Sequence, residues 1–198
     1  MWDQRYNSDT YMYGEAPNDF LAQQAHLIPE GPVLCLAEGE GRNAVYLASQ
    51  GYEVHAVDQS VVGREKALQL ASKSGTRIHY DIGDLAHLEP GQDQWSGIVS
   101  IFAHTPSALR RELHAKVVAG LKPGGVLILE AFSPDQLSSP GLGGPRDLDM
   151  LMALTDLKQE FEALDLQIAR EVVRTVDEGE LHQGECNVVQ LVGVKRSP

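Results

Sequence analysis

Gly39 and Gly41, one residue apart, stand where the apolar run Val33-Leu34-Cys35-Leu36-Ala37 ends and a helix-like segment (Ala44, Val45, Leu47, Ala48) begins. A strand that enters a glycine turn and then a helix lets a ligand approach the backbone and meet the N–H groups of a helix N-terminus. Nineteen residues after Gly39, at the end of a second apolar run (Glu53-Val54-His55-Ala56-Val57), comes Asp58. An acid in that place can accept hydrogen bonds from both hydroxyls of a ribose. Turn and acid together describe a grip on a nucleoside cofactor. Each also has a plainer reading, the glycines as an ordinary turn and Asp58 as a capping or surface acid.

The elements that must position these residues alternate. A strand over 33–37 is followed by a helix over 42–50, closed by Gly51. A strand over 53–57 leads to a helix over 61–73, ended by Gly75. Third and fourth strands read over 76–80 and 97–102, Thr105-Pro106 opens a helix that Gly120 ends, and a fifth strand covers 126–131. Continuous apolar strands between helices indicate a parallel sheet covered on both faces. After a helix over 155–163 the pattern changes. Two β-like runs, 166–176 and 185–195, follow each other across the polar loop Asp177-Glu178-Gly179-Glu180, which spells an antiparallel hairpin. The expectation is a Rossmann-like α/β fold. Its seven-stranded sheet is parallel except for a C-terminal antiparallel hairpin, with helices on both faces. Residues 1–198 read as a single domain, with 1–30 as a segment that covers the cofactor.

Composition narrows the partners. A net charge of −12 opposes nucleic-acid binding, because phosphate contacts need clustered Lys and Arg. No apolar run approaches the roughly 20 residues that span a bilayer, and Met1-Trp2-Asp3-Gln4-Arg5 lacks a secretory pattern. Cys35 and Cys186 sit inside apolar runs without CxxC or paired-His spacing. They read as buried reduced thiols, in a cytoplasmic protein without a metal site. A small-molecule substrate is the reading that remains, and oligomeric state is left open.

The glycine turn alone leaves the cofactor undecided, since Gly39-x-Gly41-x-x-Ala44 also fits a dinucleotide fingerprint with Asp58 on the NAD ribose. Three features oppose a nicotinamide-dependent oxidoreductase. Little chain is left over for a substrate domain, the terminal hairpin is foreign to that fold, and Leu121-Lys122-Pro123-Gly124-Gly125 precedes the fifth strand. With Gly83-Asp84-Leu85 after strand three, the four pieces in this order resemble the class I S-adenosylmethionine-dependent methyltransferases over essentially the whole chain. Within that class, Tyr13-Gly14 with Pro17-Asn18, Gly41-Arg42-Asn43 with Tyr46-Leu47-Ala48, and Glu178-Gly179-Glu180-Leu181-His182 resemble the small bacterial tellurite-resistance methyltransferases.

The resemblance implies S-adenosylmethionine as cofactor, held by Glu38, Gly39, Gly41, Asn43, Asp58, Gln59, Asp84, Leu85 and Tyr13. Asp58 would take the ribose hydroxyls with Gln59 beside it, Asp84 the adenine amino group, and Leu85 would offer a backbone N–H. Two positions depart from the class. Cys35 replaces an acid within strand one and Ala37 replaces the first glycine, which leaves the methionine end to Glu38 or to water. The reaction would be direct displacement at the sulfonium methyl, where alignment alone contributes up to about 7–11 kcal/mol. The acceptor pocket would be formed by the N-terminal segment, the loop after Phe102 and the glycine-rich stretch 141–146. His182 and His104 are the candidate catalytic residues. The acceptor would be a small thiol or a chalcogen oxyanion; the family's Arg after the histidine is Gln183 here, which weakens the oxyanion, and a net charge of −12 favours a neutral or soft nucleophile such as a thiol. A non-catalytic S-adenosylmethionine-binding protein is the other alternative.

Overall fold

The computed structural model of the chain describes residues 2–197. Seven strands, β1 (Pro32–Leu36), β2 (Glu53–Asp58), β3 (His79–Ile82), β4 (Trp95–Ile101), β5 (Leu121–Phe132), β6 (Leu164–Asp177) and β7 (Gln183–Lys195), form one sheet in the order β3-β2-β1-β4-β5-β7-β6. The first five are parallel, and β7 inserts antiparallel between β5 and β6. The expected parallel sheet with its closing hairpin is present.

Helices cover both faces. α2 (Asp19–Gln24), α3 (Arg42–Ser49) and α4 (Val61–Lys73) pack on one, where Phe20, Leu21, Leu47, Ala67 and Leu70 meet Val33, Cys35, Val99 and Ile128. α5 (Ser107–Gly120) and α6 (Leu154–Glu160) pack on the other, where Leu113, Val117 and Leu157 meet Leu34, Ile98, Leu127 and Leu129. Alternate residues of each inner strand thus serve opposite cores, which is why those strands read as unbroken apolar runs.

Several boundaries differ from the sequence reading. β5 starts at Leu121 rather than 126, because Leu121 already pairs with Trp95 ahead of a register shift. β3 covers only four residues and sits at the sheet edge. In the N-terminal segment, α1 (Trp2–Tyr6) and α2 are helical, the latter because Asn18 caps it by accepting from the Leu21 N–H at 3.0 Å. The crossover from β3 to β4 holds only a single 3-10 turn, Leu85–His87, so β2 and β3 lack a full helix on that side.

Candidate functional site

The carboxyl ends of β1, β2 and β4 open into a cavity of about 570 Å³, within the usual range for small-ligand sites. Its lining includes Tyr13, Glu38, Gly39, Asn43, Asp58, Gln59, Asp84, Leu85, His104 and His182. The fold therefore brings together every candidate residue except Gly41. Gly41 caps α3 at φ +92° and faces α4, where a Cβ would lie 2.5 Å from that of Ala67. It spaces two helices and does not line the cavity.

The turn itself is held by the chain's own groups. Ala37 takes a left-handed φ of +49° where a glycine was expected, a strain of about 1–2 kcal/mol for an L residue. At Gly39 (φ +59°) a Cβ would stand 2.6 Å from the Tyr6 hydroxyl. The close approach this glycine permits is thus made by Tyr6 of α1. Cys35 is fully buried in the core against α3 and α4, so the place of a strand-one acid is taken by a packing residue. Glu38 is buried and accepts from the Ala44 N–H at 2.7 Å, and burial pushes its carboxyl up to about 7 despite Arg42 nearby.

Asp58 is a capping acid and not the surface acid of its plainer reading. It is 7% exposed, with Oδ2 accepting from the Gly39 N–H at 3.0 Å and Oδ1 from the Ser60 N–H at 2.9 Å. Burial raises its carboxyl above the usual range, against those two N–H groups. Each oxygen keeps a second lone pair, so the plain reading as a cap and the functional one as a ligand are compatible. Asp84 is exposed and caps the 3-10 turn by accepting from the Ala86 N–H at 2.9 Å. Asn43 is buried and accepts from the Asn18 N–H at 2.9 Å, so its side-chain oxygen serves α2.

At the other end the wall is aromatic. The His182 ring lies 4.6 Å from Tyr13, 4.6 Å from Phe102 and 5.0 Å from Phe132, centroid to centroid. It is buried, and its Nδ1 has no hydrogen-bond partner among the described residues. Burial, with Arg42, His104, Arg174 and Arg5 around it, lowers its pKa to about 3. The ring is a neutral imidazole throughout the physiological range, not a group half-titrated near 6.5. His104 differs. Its Nδ1 lies 2.8 Å from the Met150 carbonyl and its Nε2 accepts from the Phe132 N–H at 3.2 Å. Those contacts make Nδ1 the protonated nitrogen and leave neither free to exchange a proton with a substrate. Burial lowers its pKa to about 4. Both nitrogens of His104 are thus held by backbone groups.

The N-terminal segment is tied over this cavity. Lys66 of α4 donates to the carbonyls of Tyr6, Ser8 and Thr10 and pairs with Glu40, whose Oε2 accepts from the Met12 N–H. Trp2, Arg5, Tyr6 and Tyr13 line the cavity, whereas Tyr11 turns to the core and donates to the Lys66 carbonyl.

A buried ionic network went unrecognised in the sequence. Arg42 donates to Glu178, Arg174 donates to both Glu178 and Glu130, and the Asn18 amide donates to Glu130 at 2.8 Å and Glu178 at 2.9 Å. Gln190 completes the Glu130 carboxylate. Two carboxylates and two guanidiniums balance, so the charges are compensated where they are desolvated. Asn18, Arg42 and Glu178 each sit in a motif of the resemblance, but nothing in their spacing shows that they meet. The Glu178 N–H donates to the His182 carbonyl at 2.9 Å, so the network ends on the loop that carries the imidazole.

Residues 33–125 match a family model described as a methyltransferase domain. Among solved structures, TehB from Haemophilus influenzae is similar at TM-score 0.75 and 18% identity, over 98% of this chain and 66% of its own. The N-methyltransferase NodS from Bradyrhizobium japonicum, bound to S-adenosyl-L-homocysteine, reaches TM-score 0.72 at 14% identity, over 99% of this chain and 97% of its own. A structure described by the conversion of a disulfide bond into a thioacetal group during echinomycin biosynthesis reaches 0.77 at 17% identity, over 98% and 90%. No curated protein matches by sequence.

Proposed function

We infer that this chain, whose residues 33–125 match a methyltransferase-domain model and whose fold is like that of solved methyltransferases, transfers a methyl group from S-adenosylmethionine to a small soft nucleophile. A thiol or a reduced chalcogen is the acceptor class that the site favours. One observation carries this reading: a single cavity joins Asp58 and the Gly39 turn to the unpartnered Nδ1 of His182.

The residues present fit the cofactor. S-adenosylmethionine brings a methyl group on a sulfonium, which leaves with the sulfur electron pair when a nucleophile attacks. Asp58 has lone pairs left for two ribose hydroxyls, and Asp84 with Leu85 stands where an adenine edge would lie. Glu38 offers a carboxylate to a cationic end, and its raised pKa allows it to ionise when such a charge arrives. Phe102, Tyr13 and the ring of His182 exclude water from the acceptor side. With a pKa of about 3 the neutral imidazole is too weak a base to deprotonate a thiol, and its unpartnered Nδ1 instead offers a hydrogen bond that orients the acceptor, whose proton leaves to solvent. Arg5, Arg42 and Arg146 also line the cavity; Arg42 is paired with Glu178, Arg5 donates to the Tyr13 hydroxyl, and Arg146 is exposed. A cytoplasmic setting and a single domain over 1–198 belong to the same reading, and the two buried free thiols support the former.

Calorimetric titration with S-adenosylmethionine, S-adenosylhomocysteine and NAD tests the cofactor. The first two should bind, and NAD should not. Methyl transfer to a panel of thiols, selenite and tellurite tests the acceptor. Binding without transfer to any of them would leave the chain a cofactor-binding protein, and preferential turnover of tellurite would reverse the charge argument.

A further inference from the structure

Away from the cavity, Glu53 and His55 of β2 and His79 of β3 gather their ligating atoms within 4.8 Å of one another. We propose that these three residues form a binding site for a borderline transition-metal cation of the Zn²⁺ class, which bridges β2 to the edge strand β3.

The geometry follows from the sheet. Val54, Ala56 and Tyr80 pack into the core against α3 and α4, so Glu53, His55 and His79 project from the opposite face. His55 and His79 are register partners in the parallel pair, and their rings stack at 4.5 Å with 17° between planes. Glu53 stands two residues before His55 on the same face. That face is open here because the β3–β4 crossover brings one 3-10 turn instead of a helix.

The donor set decides the metal. Two imidazoles and one carboxylate suit Zn²⁺, Ni²⁺ or Cu²⁺ and not the all-oxygen preference of Ca²⁺ or Mg²⁺. In a tetrahedral site with ligand distances near 2.0–2.1 Å, neighbouring donors lie about 3.3 Å apart. Glu53 Oε1 and His55 Nε2 already stand 3.3 Å apart. His79 and Glu53 are exposed and His55 is half-buried, so the third ligand can close in by side-chain rotation alone. Water would complete the coordination. The site lies at the amino end of β2, and the cavity residue Asp58 lies at its carboxyl end.

The test uses the whole, tag-free, metal-stripped protein titrated with zinc. One equivalent should bind. His55→Ala and His79→Ala should each weaken that event at least as much as loss of a supporting residue does, roughly 10–100-fold. His26→Ala and His87→Ala, at exposed histidines outside the cluster, should leave it unchanged. Zinc should raise Tm in the parent and not in the cluster variants. Trp95 supplies a separate reporter, since its ring lies 5.2 Å from that of His55. In a Trp2→Phe background, where Trp95 is the sole tryptophan, Cu²⁺ should quench its emission, and His79→Ala should shift the quenching midpoint to higher metal by a similar factor. Zinc binding that survives both cluster variants, or equal loss in the His26 and His87 variants, would overturn the proposal. So would no binding at all.

Discussion

Arg42, in the first turn of α3, donates to Glu178, 136 residues further along the chain. The contact ties the helix behind the glycine turn to the hairpin loop that ends at His182. Both side chains are buried, at 7% and 5% exposure. The two ends of the cavity are therefore fixed relative to each other by a desolvated ion pair and not by loop chemistry. Removing one partner of such a pair leaves an uncompensated charge, which is the expensive case.

Glu178→Ala should accordingly cost about 3–5 kcal/mol of stability, because it strands Arg42 and leaves Arg174 with Glu130 as its remaining buried partner. Urea denaturation measures this. Glu178→Gln, which keeps the shape and the amide contacts, should cost less and lower turnover more than cofactor affinity. A loss under about 1 kcal/mol for the Ala variant would show that the network is solvated.

Asp58 has two tasks, and its variants should separate them. Asp58→Ala removes the acceptor for both Gly39 and Ser60 N–H groups, so it should lower stability by roughly 1–3 kcal/mol. It should also weaken S-adenosylmethionine binding by roughly tenfold to a hundredfold, at about 1.4 kcal/mol per decade. Asp58→Asn should restore part of the stability and little of the affinity. Titration calorimetry paired with thermal melts reads both, and unchanged affinity in the folded Ala variant would place the cofactor elsewhere.

The histidines should diverge. His182→Ala should lower kcat by up to roughly 10²-fold through lost positioning of the acceptor, with cofactor Kd little changed. His104→Ala should act through stability, since it frees the Met150 carbonyl and the Phe132 N–H. Both rings have folded pKa values below the unfolded value of about 6.5. The unfolded chain then binds more protons below that value, so stability should fall as pH drops from 6.5 through 4. The kcat profile should carry no imidazole ionisation near 6.5. An inflection there that disappears in His182→Ala would show that the ring is more solvated than its packing implies.

Glu38 has the opposite sign. Its folded pKa of about 7 lies above an unfolded value of about 4.3, so the folded chain holds the extra proton between them. Its stabilising contribution is complete below the unfolded value and is lost as pH rises through 7. A cationic ligand favours the ionised form, so S-adenosylmethionine affinity should rise from pH 6 to 8, with proton release on binding near pH 7. Calorimetry in buffers of different ionisation enthalpy counts that proton. Glu38→Gln should abolish both effects, and a release that persists in this variant would assign the proton to another group.

Local pattern was enough for much of this protein. The apolar runs of β1, β2 and β4, the capped helices between them and the two successive β-like runs at the end specify the sheet and its hairpin. Each is a matter of periodicity and turn chemistry within about fifteen residues of chain. The order of motifs likewise placed Gly39, Asp58 and Asp84 at strand ends that converge. Tertiary structure alone decided what those residues touch. Asp58 is buried because the Gly39 and Ser60 backbones close on it, and Gly41 faces Ala67 because α4 packs across its turn. His104 and His182 look alike as loop histidines in sequence. One is locked between two backbone groups, and the other keeps an unpartnered nitrogen in an aromatic wall. Nothing local in the sequence says that Glu130, Arg174 and Glu178 meet; the hairpin, folding back, brings them together away from water. Protonation state follows desolvation, and desolvation here depends on contacts between segments from about twenty to more than a hundred residues apart.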